Sequence, residues 1–516
     1  MRRLLISVVV VAVLVLNATA QESQLGRVEF PTSGSAKAQA LFLRGLAALH
    51  SFWYEEALDA FRESTKVEPD FAMGYWGEAM TYNHPLWSEQ DLTAARAVVA
   101  KFKDTPKLTD RERAYLNAVR LLYGEGDKRA RDLAYSAAME KIYRAYPDDL
   151  DAAAFYSLSL LGLTGGEKGY RLQAKAGAIA LEVYQKNPNH PGAAHYIIHA
   201  FDDPDHAILA LPAARRYAAI APEAPHAQHM PSHIFLQLGM WPEATASNEA
   251  AWKSSDAWMK RKNLPISVRD YHSLHWLLYA YLQQGRYDDA EKLLTLMKKV
   301  MSESTYDNKL RPGYYENNYA NMAAAFVVET ERWNLASELF PESKAPATSE
   351  QTSMTGSHGS HGSIPASGGA TLRTSSASVT LPLFVRGLAA AVNGSDVSQI
   401  ITALQAVRST RPANSEIFEL EIAALSASMK KDHDKAIELM KRATALEEAT
   451  NAPYGPPSLI KPSHELFGEI LLRAGKPAEA AEQFKISLLR QPNRARSLAG
   501  LARATDKHGS SNTDQR

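Results

Sequence analysis

Residues 41–69, LFLRGLAALHSFWYEEALDAFRESTKVEP, decide the fold. Leu41, Gly45, Ala57, Phe61, Ser64 and Pro69 punctuate two short apolar-patterned segments, and Gly468, Ala480, Phe484, Ser487 and Pro492 recur at the same offsets near the other end. Small residues spaced this way let two helices touch, and a proline cannot continue the second one. Further copies are centred on Ala210, Ala244, Ala290, Ala336 and Ala436, and turns such as Gln284-Gly285-Arg286-Tyr287-Asp288 fall where two helices of a unit meet. Such units bury their apolar faces only by stacking on one another, so the expected architecture is an all-α solenoid with a concave inner wall.

These residues and spacings resemble the tetratricopeptide repeat, a helix-turn-helix unit of about 34 residues that builds a right-handed superhelix. The resemblance covers most of the chain. It divides the sequence into an N-terminal extension (21–36), a first array (37–341), a Ser/Gly/Thr-rich linker (342–379), a second array (380–505) and a tail (506–516). The linker offers almost no large apolar residue with which to offset its ordering entropy, so it is expected to be disordered. His358 and His361 within it read as solvated linker residues or a loose metal catch.

Composition narrows the function. In 516 residues, 57 Lys and Arg balance 57 Asp and Glu, which disfavours a nucleic-acid partner because phosphate neutralisation needs a basic surplus. No cysteine is present, so disulfides, thiolate ligands and cysteine nucleophiles are excluded, and a metal would rely on His, Asp or Glu. Arg2 and Arg3, the apolar run Leu4 to Leu16, and Ala18-Thr19-Ala20 read as a signal peptide over residues 1–20. Export to the periplasm or medium is therefore expected, with no membrane span after cleavage. No Gly-rich phosphate loop and no Gly-x-Ser-x-Gly elbow is visible.

The histidines are the chemical signal. Nine of sixteen lie between His190 and His275. His195 and His199 recur 34 residues later as His229 and His233, within a scaffold that also repeats Pro191 as Pro225 and Phe201 as Phe235. After a twelve-residue insertion, His226 and His229 are matched 46 residues on by His272 and His275. Residues four apart share a helix face, so each pair 195/199 and 229/233 forms a two-imidazole pincer. By resemblance to the repeat family, these are the groove-lining places of each unit's first helix: His226 and His272 at place two, His195, His229 and His275 at place five, His199 and His233 at place nine, with Asp202 and Asp203 at twelve and thirteen.

Two functions follow. One is a concave face that binds a protein or peptide partner, with Trp76, His84, Asp202, Asp203, His226, Asn318 and Asn321 as contacts. The other is a metalloprotein or metalloenzyme holding Zn, Cu, Fe or Ni through His195, His199, His229, His233, His272 and His275. The pincers are not His-Glu-x-x-His, because Tyr196 and Met230 stand where the glutamate base belongs. Pro231 is expected to kink or restart the helix between His229 and His233. The stretches 195–204 and 224–235, with 461–466 through 492–494, resemble a family of exported bacterial tetratricopeptide proteins, which implies fold and export without an activity. Compared with adaptors that clamp a chaperone's C-terminal carboxylate through Lys and Asn, this groove offers imidazoles.

Overall fold

The computed structural model describes residues 24–166, 169–303, 313–341, 370–408, 414–450 and 452–506. The leader, His358 and His361 lie outside the described residues, as do 342–369 of the linker and all but the first residue of the tail. The chain is a right-handed α-solenoid of helical hairpins, beginning with Ala36–His50 and Tyr54–Val67 and ending with Ser463–Arg473, Pro477–Arg490 and a last helix, Ala495–Thr505. First helices of successive units meet along much of the chain, as Tyr271–Gln283 with Tyr314–Thr330 and Ala370–Val392 with Ser415–Met429, and the second helices form the outer layer.

Composition explains the layering. Outer helices such as Tyr54–Val67 bury one stripe (Ala57, Ala60, Phe61, Ser64) and expose charged residues, whereas the inner helices Pro191–Ala200, Tyr271–Gln283 and Ser415–Met429 are buried on almost every side. The small residues work as the spacing requires. A side chain at Gly45, Gly77, Gly468 or Gly500 would strike the ring of Phe61 or Phe484. A brief hairpin, Asn83–His84 with Glu89–Gln90, interrupts the second unit.

Two features correct the picture of an open groove between two arrays. The hydrophobic core divides at the Tyr271–Gln283 helix: one cluster runs from Leu25 to Ala280 and the other from Tyr271 to Phe484. The Ala370–Val392 helix, which begins inside the stretch assigned to the linker, packs on Tyr314–Thr330 as the next inner helix. The concave side is also filled by the chain's own C-terminal part. Gln237 donates to the Pro453 carbonyl at 2.8 Å, Trp241 Nε1 to the Asn493 carbonyl at 2.8 Å, and the Ala495 amide to Gln283 at 3.0 Å. Arg494 is fully buried beside Glu465 (2.8 Å), Glu329 (2.6 Å) and the Tyr279 hydroxyl (2.8 Å). Gly455 lies so close to the Trp276 ring that a Cβ there would overlap it.

Candidate metal centre

The inner helices Pro191–Ala200, Pro225–His229, Pro231–Gln237 and Tyr271–Gln283 carry the site. Pro231 does break the helix, yet Met230 keeps helical dihedrals, so His229 and His233 remain one turn apart on one face. Among the described residues, His195, His199 and His226 form one convergent set and His229, His233 and His272 a second. In the first, His195 Nε2 is 3.0 Å from His199 Nε2 and 3.2 Å from His226 Nε2. In the second, His229 Nε2 is 3.1 Å from His233 Nε2, and the His229 and His272 ring centres are 4.7 Å apart.

The two sets are the same construction used twice. Each consists of places five and nine of one unit and place two of the next. Neighbouring inner helices thus meet diagonally, about one turn out of register, so place five faces place two of the following unit. For this reason His226, read from sequence as a groove contact, joins the first set, and His275, read as a ligand level with His229, joins neither. The sets adjoin: ring centres of His199 and His233 are 5.9 Å apart, and those of His226 and His229 6.0 Å.

Hydrogen bonds on the outer ring nitrogens fix the tautomers. His195 Nδ1 donates to the His50 carbonyl at 2.7 Å, and His233 Nδ1 donates to the Asp202 carboxylate at 2.6 Å. His229 Nδ1 donates to Asn248 Oδ1 at 2.6 Å, the Asn248 amide nitrogen being engaged with the Ala244 carbonyl. In the neutral ring, a donor at Nδ1 leaves the lone pair of each of the three at Nε2. For His229 and His233 those lone pairs face each other at 3.1 Å. Nitrogens each about 2.05 Å from one ion lie about 2.9 Å apart at a right angle and about 3.3 Å apart at the tetrahedral angle, which brackets this spacing.

Burial favours the neutral form of four of these rings. It holds His195 down at about 3, and pushes His199, His226 and His229 well below the usual histidine range, with neighbouring imidazoles adding to the effect. Each set has an aromatic wall. Phe52 lies 4.3 Å from His195, 5.8 Å from His199 and 5.6 Å from His226. Trp276 lies 5.0 Å from His229, 4.2 Å from His233 and 5.6 Å from His272. Phe52 has φ of 52°, a left-handed conformation that glycine normally supplies at a helix end.

A third group, His50, His190 and Asp151, is a buried hydrogen-bonded cluster in which the second carboxylate oxygen of Asp151 has no hydrogen-bond partner. Both Nε2 atoms donate to Asp151 Oδ1, at 2.8 and 3.3 Å, while His50 Nδ1 accepts from the Tyr196 hydroxyl and His190 Nδ1 from the Ala193 amide. Burial opposes ionisation of Asp151, but the two imidazoles hold its carboxyl below the usual range. Every ring nitrogen is used, and the cluster's role is to seat His50, whose carbonyl orients His195. A side chain at Gly192 would overlap the His50 ring.

The proposed peptide contacts fare differently. Trp76 is 1% exposed and packs among Phe30, Phe42, Tyr115 and Phe155, so it is core. His84 stacks on Tyr54 at 3.9 Å and meets Glu89 at 3.1 Å. Asn318 and Asn321 are half-buried and donate to carbonyls of their own helix. Asp203 bonds His206 at 2.8 Å, whereas Asp202 turns inward to His233 and Gln237. Sequence reading missed Phe52, Asn248 and Trp276; only Trp276, at place six of the unit carrying His272 and His275, had a register that pointed to the site.

No family model matches this chain, and no curated protein matches it. Among solved structures, it is similar to the APC/C hetero-tetramer Cut9–Hcn1 (12% identity, TM-score 0.37, covering 91% of this chain and 76% of that one). It is also similar to the human IFIT1 dimer with m7Gppp-AAAA (12%, 0.35, 92% and 90%) and to yeast Tom70 (10%, 0.30, 90% and 88%). At these low scores the likeness carries no functional content, and the fold rests on the hairpin stacking itself.

Proposed function

We propose that this chain is an exported transition-metal protein that holds one ion at His195, His199 and His226 and a second at His229, His233 and His272. The observation that carries the reading is the 3.1 Å approach of two Nε2 lone pairs, His229 and His233, whose Nδ1 protons are both committed elsewhere. Two buried acceptors facing each other repel, and a cation between them turns that repulsion into two bonds. Hydrogen-bonded outer nitrogens are what orient histidine ligands in metal sites generally. A donor set made only of neutral imidazoles suits Zn, Cu, Ni or Fe and does not suit Ca or Mg. Three ligands per ion leave a further position for water or a substrate.

Helical-repeat solenoids also serve as protein-binding scaffolds. Here the inner helices and the segments 452–462 and 491–496 occupy each other, so a protein partner would engage the outer layer. Export rests on the leader read in residues 1–20, and among the described residues no helix is long and apolar enough to cross a membrane.

Metal content by mass spectrometry tests the reading, on protein exported by its own leader and purified untagged without chelators. The expected result is two equivalents of a transition metal per chain, lost in the double variant His199→Ala/His233→Ala. Absence of stoichiometric metal after Zn, Cu, Fe and Ni have each been offered refutes it.

A further inference from the structure

Resting on that reading, the arrangement of the two sets leads further. We propose that they form one dinuclear centre, closed by a single bridging oxygen ligand derived from water, and that a small anion such as azide displaces that bridge.

Three observations lead there. The first is adjacency. His199 of one set and His233 of the other occupy place nine of consecutive units with ring centres 5.9 Å apart, and His226 and His229, one turn apart on one helix, contribute to opposite sets with ring centres 6.0 Å apart. The same helix supplies both ions, so the ions are fixed relative to each other by one turn of backbone.

The second is charge. Two divalent ions bring four positive charges, and all six ligands are neutral. Among the described residues, Asp202 is the carboxylate seen on a ligand ring, and it reaches His233 and not the ions; Asp151 sits behind His50 and is bonded to two imidazoles there. Uncompensated charge in an enclosure of aromatic rings is costly, and a bridging anion is the most economical neutralisation, since it lies beside both ions.

The third is donor count. Three imidazoles leave each ion short of four donors. One hydroxide completes both at once. It forms when water binds across the pair and gives one proton to solvent, the two cations lowering the pKa of that water as metal ions do. Phe52 lies against one set and Trp276 against the other, which favours a small ligand.

The full-length protein loaded with Cu(II) provides the test. Binding stoichiometry reads the metal assignment, and electron paramagnetic resonance reads the bridge. The expected result is two copper ions per chain with most of the spin intensity lost through coupling across the bridge, and one azide bound per two copper ions. The variant His229→Ala/His233→Ala should bind one copper with its full spin intensity restored, circular dichroism verifying that it folds. Two copper ions whose signals integrate to two independent spins, or two azides per chain, overturn the dinuclear centre while leaving the metal assignment standing. Failure to bind copper stoichiometrically overturns both.

Discussion

Substitution of Asp202 by Asn changes one atom pair and leaves no arrangement in which every neighbour is satisfied. Asp202 Oδ2 accepts from His233 Nδ1 at 2.6 Å, and Oδ1 accepts from Gln237 Nε2 at 3.2 Å. An asparagine has one acceptor and one donor, so one of those two N–H groups must face an NH2. If the amide oxygen faces His233, the amide nitrogen opposes Gln237. Rotating the Gln237 amide does not relieve this, because its nitrogen also serves the Pro453 carbonyl at 2.8 Å. If the amide nitrogen faces His233 instead, the imidazole is driven to the other tautomer and Nε2 loses its lone pair. Removing such a partner from a ligating histidine costs about 10- to 100-fold in metal affinity, or about 1.4 to 2.7 kcal/mol. Zn competition against a chelator of known affinity should show that loss for one of two ions, with the other unchanged. Asp203→Asn, which faces His206, is the control and should bind both ions normally. Both ions held by Asp202→Asn as tightly as in the parent would refute the role assigned to His233.

Three further outcomes are expected. In the metal-free chain, His195 at about 3 and His275 at about 4 lie below the unfolded value of 6.5, so between about pH 4 and 6 the unfolded state binds more protons and stability rises with pH; at pH 5 the two account for about two protons, a slope near 3 kcal/mol per pH unit, measurable by urea titration and levelling off above pH 6.5. A slope absent at pH 5 would contradict the burial of these rings. Gly192→Ala should destabilise the chain by about 1 to 3 kcal/mol, because the new methyl overlaps the His50 ring, which Asp151 and Tyr196 hold in place; an unchanged urea midpoint would show that the ring yields freely. Arg494→Ala should cost about 3 to 5 kcal/mol by leaving Glu329 buried without its close cation and taking from Glu465 a partner that Lys461 replaces only in part; thermal unfolding at the parent temperature would refute that.

Much of this was legible in the residues because a repeat writes its geometry into spacing. Gly45 and Gly468 sit where helices touch, and the pincers 195/199 and 229/233 follow from four-residue separation on a helix. The closure of the concave side was not legible. It depends on Pro453, Asn493 and Arg494 meeting Gln237, Trp241 and Glu329, pairs separated by well over a hundred residues and joined by no pattern. Trp76 misled for the same reason: at a groove place it reads as an anchor, but the N-terminal extension, with Phe30 stacked on it at 6.0 Å, joins Phe42, Tyr115 and Phe155 in making it core.

The misplacement of His275 shows what the register lacked. Matching places level with one another pairs His275 with His229, but inner helices meet on a diagonal, so place five meets place two of the next unit. Applied along the array, that single rule also says why there are two sets and no third. Upstream, the place-two residue of the first pincer unit is Gly192, and the space is taken by the His50 ring. Downstream, His275 has Tyr279 at place nine, which is bonded to Arg494, and Asn318 at place two of the following unit. Three imidazoles converge only where places five and nine of one unit and place two of the next are all histidine, and this sequence meets that condition twice in succession. The chemistry of the site is thus a property of the repeat's offset, and moving one histidine off place two onto the half-buried position 228, as in a His226→Gln/Gln228→His exchange, should dismantle one set while leaving the solenoid folded; metal stoichiometry measured beside circular dichroism decides it, and two ions retained in that exchange would refute the diagonal rule.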